Sequence, residues 1–224
     1  MLHPLLDWQE LKNRSDIHLA RKIWHMTMVF VMFAIQFHAS YAVSATILIF
    51  AFVVFVSVDF FRQKSEKLNQ FALTLMGPLM RQQELKGIAG TTYLLSGVLV
   101  IFLLFAPSIV SLSILFLAFA DPIASYVGIR YGKDKILGSK TIQGFLAAYA
   151  VCALVTFLFL NTFEIQLSRQ LIVALLAGLV GALAELIPVA KLDDNFTMPI
   201  LSAFGLSFLF YFFDISNQIV LFSF

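Results

Sequence analysis

Seven stretches of this 224-residue sequence, 19–37, 40–58, 88–106, 108–127, 144–160, 169–188 and 198–213, are apolar over lengths suited to crossing a bilayer. A membrane helix needs about 17–25 such residues. Inside hydrocarbon no water can satisfy a backbone N–H or C=O, so each segment has to bond its own backbone as a helix. With 60% hydrophobic and 12% charged residues and a mean hydropathy of +0.91, the chain is too apolar for a water-soluble domain. The expected fold is an all-α integral membrane protein of one domain with about seven transmembrane helices.

The third and fourth stretches share one charge-free run, which Pro107-Ser108 divides into two adequate lengths, so a tight hairpin is expected there. Seven spans put fourteen of the 15 basic residues on one side and leave Arg169 alone on the other. The positive-inside rule then places the N-terminus in the cytoplasm and the C-terminus, 215–224, outside. Residues 1–18 carry mixed charges and no signal-peptide pattern, which predicts a cytoplasmic surface segment ahead of one catalytic domain, 19–224. The cytoplasmic loops are 59–87, 128–143 and 190–197. Within the first, 70–80 is apolar but too short to span and reads as an interfacial or re-entrant helix.

Several function classes fall away. The 25 phenylalanines suit lipid contact and helix packing rather than base stacking, and no stretch has the density of basic residues that nucleic acid requires. The single Cys152 lies in an apolar run and reads as a small core residue. No fixed-period repeat supports a transporter of two matching halves. The charges crowd one end of the spans rather than their centres, which also argues against a transport pathway.

Those charges carry the chemistry. Asp121 closes a long uncharged run, and an ionisable group at the end of a span is a functional candidate because a charge near hydrocarbon costs about 2.5–3.5 kcal/mol on insertion scales. Asp121, Ser125 and Gly128 share one helix face. Beyond them Arg130, Gly132, Lys133, Gly138, Lys140 and Thr141 combine exposed backbone N–H groups, cations and a hydroxyl, a set suited to a polyphosphate. The order is not that of a P-loop, because the glycine spacing is one residue short and Asp134 follows Lys133.

Arg21 and His25 share a face one turn apart, while Lys22 alone reads as a headgroup anchor. Arg81 and Glu84, three apart, read equally well as a surface ion pair. Glu185 stands at the end of the sixth span; Asp193 reads as a solvated loop charge, and Asp194-Asn195 as either a metal ligand or a helix cap. Carboxylates beside a phosphate-binding loop commonly act through Mg²⁺, which needs only one or two of them; Asp121 and Asp194 are the expected ligands.

Taken in order, Arg21-Lys22-x-x-His25, Arg81-x-x-Glu84, the segment 87–93, the run 121–133, Lys140-Thr141-x-x-Gly144, Glu185 and Asp194-Asn195 with Pro199 resemble the polyprenol kinase family, which includes dolichol, phytol and CTP-dependent diacylglycerol kinases. The resemblance covers roughly 21–199. It implies transfer of the γ-phosphoryl of CTP to a membrane lipid alcohol, with Asp121, Gly128, Gly132, Lys133 and Lys140 in the nucleotide site; Arg130, Thr141 and Asn195 are further nucleotide-binding candidates, and Asp121, Glu185, His25 and Arg21 are the catalytic candidates. Gln143 departs from the pattern, where relatives commonly carry an acid. Phosphatidate cytidylyltransferase has a similar central run, but its second, C-terminal signature is absent after Gly144.

Overall fold

The computed structural model describes residues 19–85, 87–162, 167–190 and 192–215. The expected surface segment 1–18, the basic residues Lys86 and Lys191, and the C-terminal stretch from 216 lie outside the described residues. The helices are α1 (Leu19–His38), α2 (Tyr41–Lys64), α3 (Glu66–Met76), α4 (Gly90–Leu104), α5 (Pro107–Tyr131), α6 (Ile142–Asn161), α7 (Leu167–Leu186) and α8 (Asp194–Phe212). Seven of them coincide with the seven apolar stretches, and α3 takes the short apolar segment of the first loop.

Five helices, α2, α5, α6, α7 and α8, are long and apolar enough to cross a membrane. The other two stretches depart from expectation. The helix α4 has only 15 residues, about 22 Å at 1.5 Å per residue, which falls short of a 30 Å hydrocarbon core. The helix α1 begins with Arg21, Lys22 and His25, which turn into the protein and remove its first turn from the apolar count.

Local chemistry sets the helix ends. Ser40 caps α2 and Thr141 caps α6, each accepting a backbone N–H bond on its hydroxyl. Pro107 occupies the first turn of α5, where its missing N–H leaves no gap, and so makes the expected hairpin after α4. A small antiparallel hairpin, β1 (Lys135–Leu137) and β2 (Lys140–Thr141), forms in the loop after α5 and was not foreseen. Its two-residue turn, Gly138-Ser139, begins with Gly138 at φ +57°, the left-handed conformation such a turn demands.

The helix α5 is the axis of the bundle, packed against α1, α6 and α8, with Leu112, Ile114, Phe116 and Leu117 fully buried. The pair α6 and α7 packs most extensively. Gly181 stands so near Cys152 and the Phe116 ring that a Cβ there would overlap both, the small-residue contact by which membrane helices approach. Cys152 is fully buried, as its apolar run predicts. Outward faces are apolar too: Phe50, Phe208 and Phe212 are each more than 70% exposed. A bundle with an apolar core and an apolar coat is a membrane protein.

Candidate functional site

One end of the bundle holds a cavity of about 630 Å³. Into it project Arg21, Lys22 and His25 from the start of α1, Asp121 and Ser125 from the end of α5, Glu185 from the end of α7, and Asp194 and Asn195 from the start of α8. Arg81 comes from the loop before α4, and Ser139, Lys140 and Thr141 from the hairpin. Four cations and three acids thus meet in a half-enclosed space.

Lys140 ties the acids together. Its ammonium lies 2.5 Å from Glu185 Oε1 and 3.1 Å from Asp194 Oδ2. Burial by itself disfavours that ammonium, but the two partner carboxylates and Asp121 outweigh it and raise its pKa above the ordinary value, so Lys140 is charged at any physiological pH. Asp121 differs from the other acids. Among the described residues its carboxylate makes no hydrogen bond or ion pair, though it lies in the field of His25, Lys140 and Lys22.

His25 Nε2 sits 3.0 Å from the Leu117 carbonyl, which can only accept, so Nε2 carries a proton. In the neutral ring Nδ1 is then the acceptor. Lys22 donates to Ser125 Oγ at 2.7 Å and to the Pro122 carbonyl at 3.3 Å. It is therefore no headgroup anchor: its Nζ reaches across to α5 and lines the cavity.

Glu84 pairs with Arg21 at 2.9 Å, not with Arg81. Arg21 also donates to the Leu79 carbonyl at 2.8 Å, which fixes the loop over the cavity. Arg81 instead faces Asp193 at 3.6 Å. Asp193 is not a solvated loop charge: it caps α8, accepting the Asn195 N–H on Oδ1 at 3.0 Å, and burial raises its pKa against the pull of that N–H and of Arg81. Because Asp193 supplies the cap, the Asp194 side chain is left to Lys140.

Gly90 marks the point where three of these groups converge. A Cβ there would overlap Arg21 Nη2 and come within 3.1 Å of Asn195 Nδ2 and 3.2 Å of Glu84 Oε1. The Gly90 carbonyl accepts from Asn195 Nδ2 at 3.3 Å.

Three expected nucleotide-binding residues stand apart from the cavity. Arg130 and Lys133 are exposed, with Arg130 against the Tyr131 ring, and neither lines it. Gly132 packs on Thr141 and on the Gly128 carbonyl, so its small size serves the joint between α5 and the hairpin. Thr141 lines the cavity, but its Oγ1 also caps α6 through Gly144 N. Gln143 ties down the base of the hairpin, accepting the Lys133 N–H at 3.0 Å and donating to Asp134 at 3.3 Å.

Sequence reasoning missed the support beneath the loop. Asp59 and Arg62, near the end of α2, form an ion pair with both side chains at least 94% buried. Arg62 donates to the carbonyls of Glu84 (3.0 Å) and Gly87 (2.6 Å) and to Asn69 Oδ1 (3.1 Å). Asp59 Oδ2 accepts from Ala89 N (2.9 Å) and Thr92 Oγ1 (3.0 Å). Arg62 was counted only as a topology charge; the signal available was Asp59 itself, an acid directly after an apolar span.

For a metal, the test is chemical. Among the described residues no three His, Cys, Asp or Glu side chains gather as a ligand set, so no all-protein cage exists. Mg²⁺ rarely uses one; it takes one or two carboxylates and fills its sphere with phosphate oxygens and water. Asp121, open to the cavity, fits that mode.

No family model and no solved structure matches the chain. Curated proteins do. CTP-dependent diacylglycerol kinase 1 of Saccharomyces cerevisiae is 27% identical over 205 residues, 83% of this chain and 71% of that protein. The protein of the same name in Schizosaccharomyces pombe is 28% identical over 211 residues, 88% of this chain and 95% of its own length. That of Eremothecium gossypii is 31% identical over 203 residues, covering 82% of this chain and 64% of the relative. Similarity to all three runs through more than four fifths of this chain.

Proposed function

We propose that this protein is a CTP-dependent lipid kinase that transfers the γ-phosphoryl group to the hydroxyl of diacylglycerol. The observation that carries the reading is the cavity itself, where Arg21, Lys22, Arg81 and Lys140 meet Asp121, Glu185 and Asp194 at one end of an apolar bundle. The three fungal relatives bear that activity in their names. A seven-span topology, in which α1 and the short α4 cross as well and this end faces the cytoplasm, is what the charge distribution favours, and it lets the nucleotide come from the cytosol while the lipid enters from the bilayer.

Phosphoryl transfer asks for alignment and charge neutralisation more than for covalent chemistry. Lys140 and Lys22 line the cavity with ammonium groups, and Arg21 adds a guanidinium held by Glu84. The hydroxyl proton has Asp121 and Glu185 as acceptors. Glu185 Oε1 is already engaged by Lys140, which leaves Asp121 the more open of the two. His25 offers Nδ1 as a further polar contact for the hydroxyl. Mg²⁺, when bound, would supply charge neutralisation at the phosphates; Asp121 and Asp194 are the residues that would hold it, and with Asp121 on the metal the proton acceptor is Glu185.

Purified protein given Mg²⁺, CTP labelled at the α- or γ-phosphate, diacylglycerol, polyprenol and phosphatidate tests the reaction. Label should reach lipid from the γ position only, and on diacylglycerol. Label arriving from the α position means a cytidylyltransferase, and no labelled lipid from either position leaves a non-catalytic membrane protein.

The convergence on Gly90 has its own consequence. In Gly90→Ala the new methyl displaces the Arg21 guanidinium and Asn195, both side-chain ends that can move, so the fold should survive. A shift of about 1 Å in a substrate-positioning group costs on the order of 10²-fold in rate. We expect kcat/KM for γ-transfer to fall by about that factor with the melting temperature nearly unchanged; activity within twofold of the parent would remove Gly90 from the site.

A further inference from the structure

Among the described residues four cations line the cavity, and three of them are held by acceptors of the protein. Arg21 has Glu84 and the Leu79 carbonyl, Lys22 has Ser125 and the Pro122 carbonyl, and Lys140 has Glu185 and Asp194. Arg81 has no such set. Among the described residues its guanidinium makes no hydrogen bond, its Nε is buried without a partner, and its ion partner Asp193 stands 3.6 Å away. Asp193 is meanwhile committed through Oδ1 to the cap of α8.

A half-buried guanidinium in that state is poorly accommodated. It has five N–H donors in a rigid fork and, among the described residues, no acceptor for them at hydrogen-bond distance. Burial and the like charge of Arg21 both act to lower its proton affinity, with Asp193 and Glu84 opposing. An incoming anion would remove the penalty, and the two faces of the fork suit adjacent oxygens of a phosphoryl group.

We infer that Arg81 grips a phosphoryl group in this cavity, as the lining cation that, among the described residues, the protein itself leaves without a hydrogen-bond acceptor. The assignment rests on the kinase reading and extends it: sequence reasoning had offered Lys133 and Lys140 to hold the phosphates, and of these only Lys140 lines the cavity. The phosphoryl oxygens belong either to the nucleotide or to the phosphorylated lipid, and the two sources separate by experiment.

The test uses full-length protein in lipid nanodiscs, as the parent and as Arg81→Gln and Arg81→Lys. Equilibrium binding of labelled CTP with Mg²⁺, without lipid alcohol, is the first arm; binding of labelled short-chain phosphatidate is the second. A charged hydrogen-bonded contact of this kind corresponds to about a tenfold to hundredfold change in Kd. Arg81→Gln should lose that much in one arm, and the arm identifies the source. Arg81→Lys should recover only part, because an ammonium keeps the charge but not the fork. Unchanged Kd values in both arms for Arg81→Gln, or full recovery in Arg81→Lys, would overturn the role while leaving the kinase reading intact. A parent protein that binds neither CTP nor phosphatidate would overturn both. Should Arg81→Gln fold poorly, as read by its melting temperature, Arg81→Lys decides by itself: an unchanged Kd in both arms rejects the fork, and a weakened one supports it.

Discussion

Lys140→Ala is expected to lower kcat/KM for γ-phosphoryl transfer by about 10²–10³-fold, the usual effect of removing one preorganised charge from a site where negative charge develops. Lys140 is the only described cation within ion-pair distance of two acids of the cavity at once, Glu185 and Asp194. Without it those carboxylates and Asp121 face one another with their shared counter-charge gone, so protein stability should fall as well. Glu185 is the more exacting partner because its side chain is 3% exposed, and an unpaired charge at such depth costs about 3–5 kcal/mol before relaxation. The two effects come apart in the double variant Lys140→Ala with Glu185→Gln. Removing the stranded charge should restore most of the melting temperature and none of the turnover. If the double variant recovers activity, Lys140 serves only to neutralise Glu185 and does not meet the phosphates.

Arg62→Ala should be the most destabilising single change outside the cavity. It would leave Asp59 buried and unpaired and would free the carbonyls of Glu84 and Gly87 together with Asn69. Breaking a buried pair from one side costs about 3–5 kcal/mol. At 2–4 °C per kcal/mol for a chain of this size, that is a drop on the order of 10 °C in melting temperature. Arg62→Lys should recover little, because one ammonium cannot serve acceptors spread around a planar fork. Glu84 hangs from this clamp and Arg21 from Glu84, so kcat should decline with the melting temperature. A melting temperature within 1–2 °C of the parent would mean that the loop holds itself in place.

The charges that form the cavity were visible in the sequence as chemistry but not as partners. Asp121, Glu185 and His25 stood out because an ionisable group beside an apolar span is costly unless something nearby uses it. Lys22 and Asp193 were each read as surface charges, and Arg81 equally well as half of a surface ion pair, yet all three turn inward or brace the site. Local spacing suggested Arg81 for Glu84, three residues away, yet the partner is Arg21, 63 residues earlier. The apolar face that would have revealed this arrangement is hard to find in a membrane protein. A soluble helix announces its buried side by a polar opposite side, whereas here Phe208 faces outward and Phe210 is fully buried two residues on, with the same chemistry.

What the sequence by itself determined is the set of helices, because lengths of uncharged apolar chain in hydrocarbon permit only self-bonded backbone, and a proline in a charge-free run marks where one helix must yield to the next. Gathering the charged residues at one end is likewise written in their positions along those spans. The tertiary structure alone decided which cation meets which acid, that α1 turns its first residues into the protein, and that Asp59 and Arg62 hold the loop from below. Those choices depend on helix rotation and neighbour, which small-residue contacts such as Gly181 on Cys152 and close approaches such as Gly90 beneath Arg21 settle, and neither leaves a periodic trace in an apolar chain.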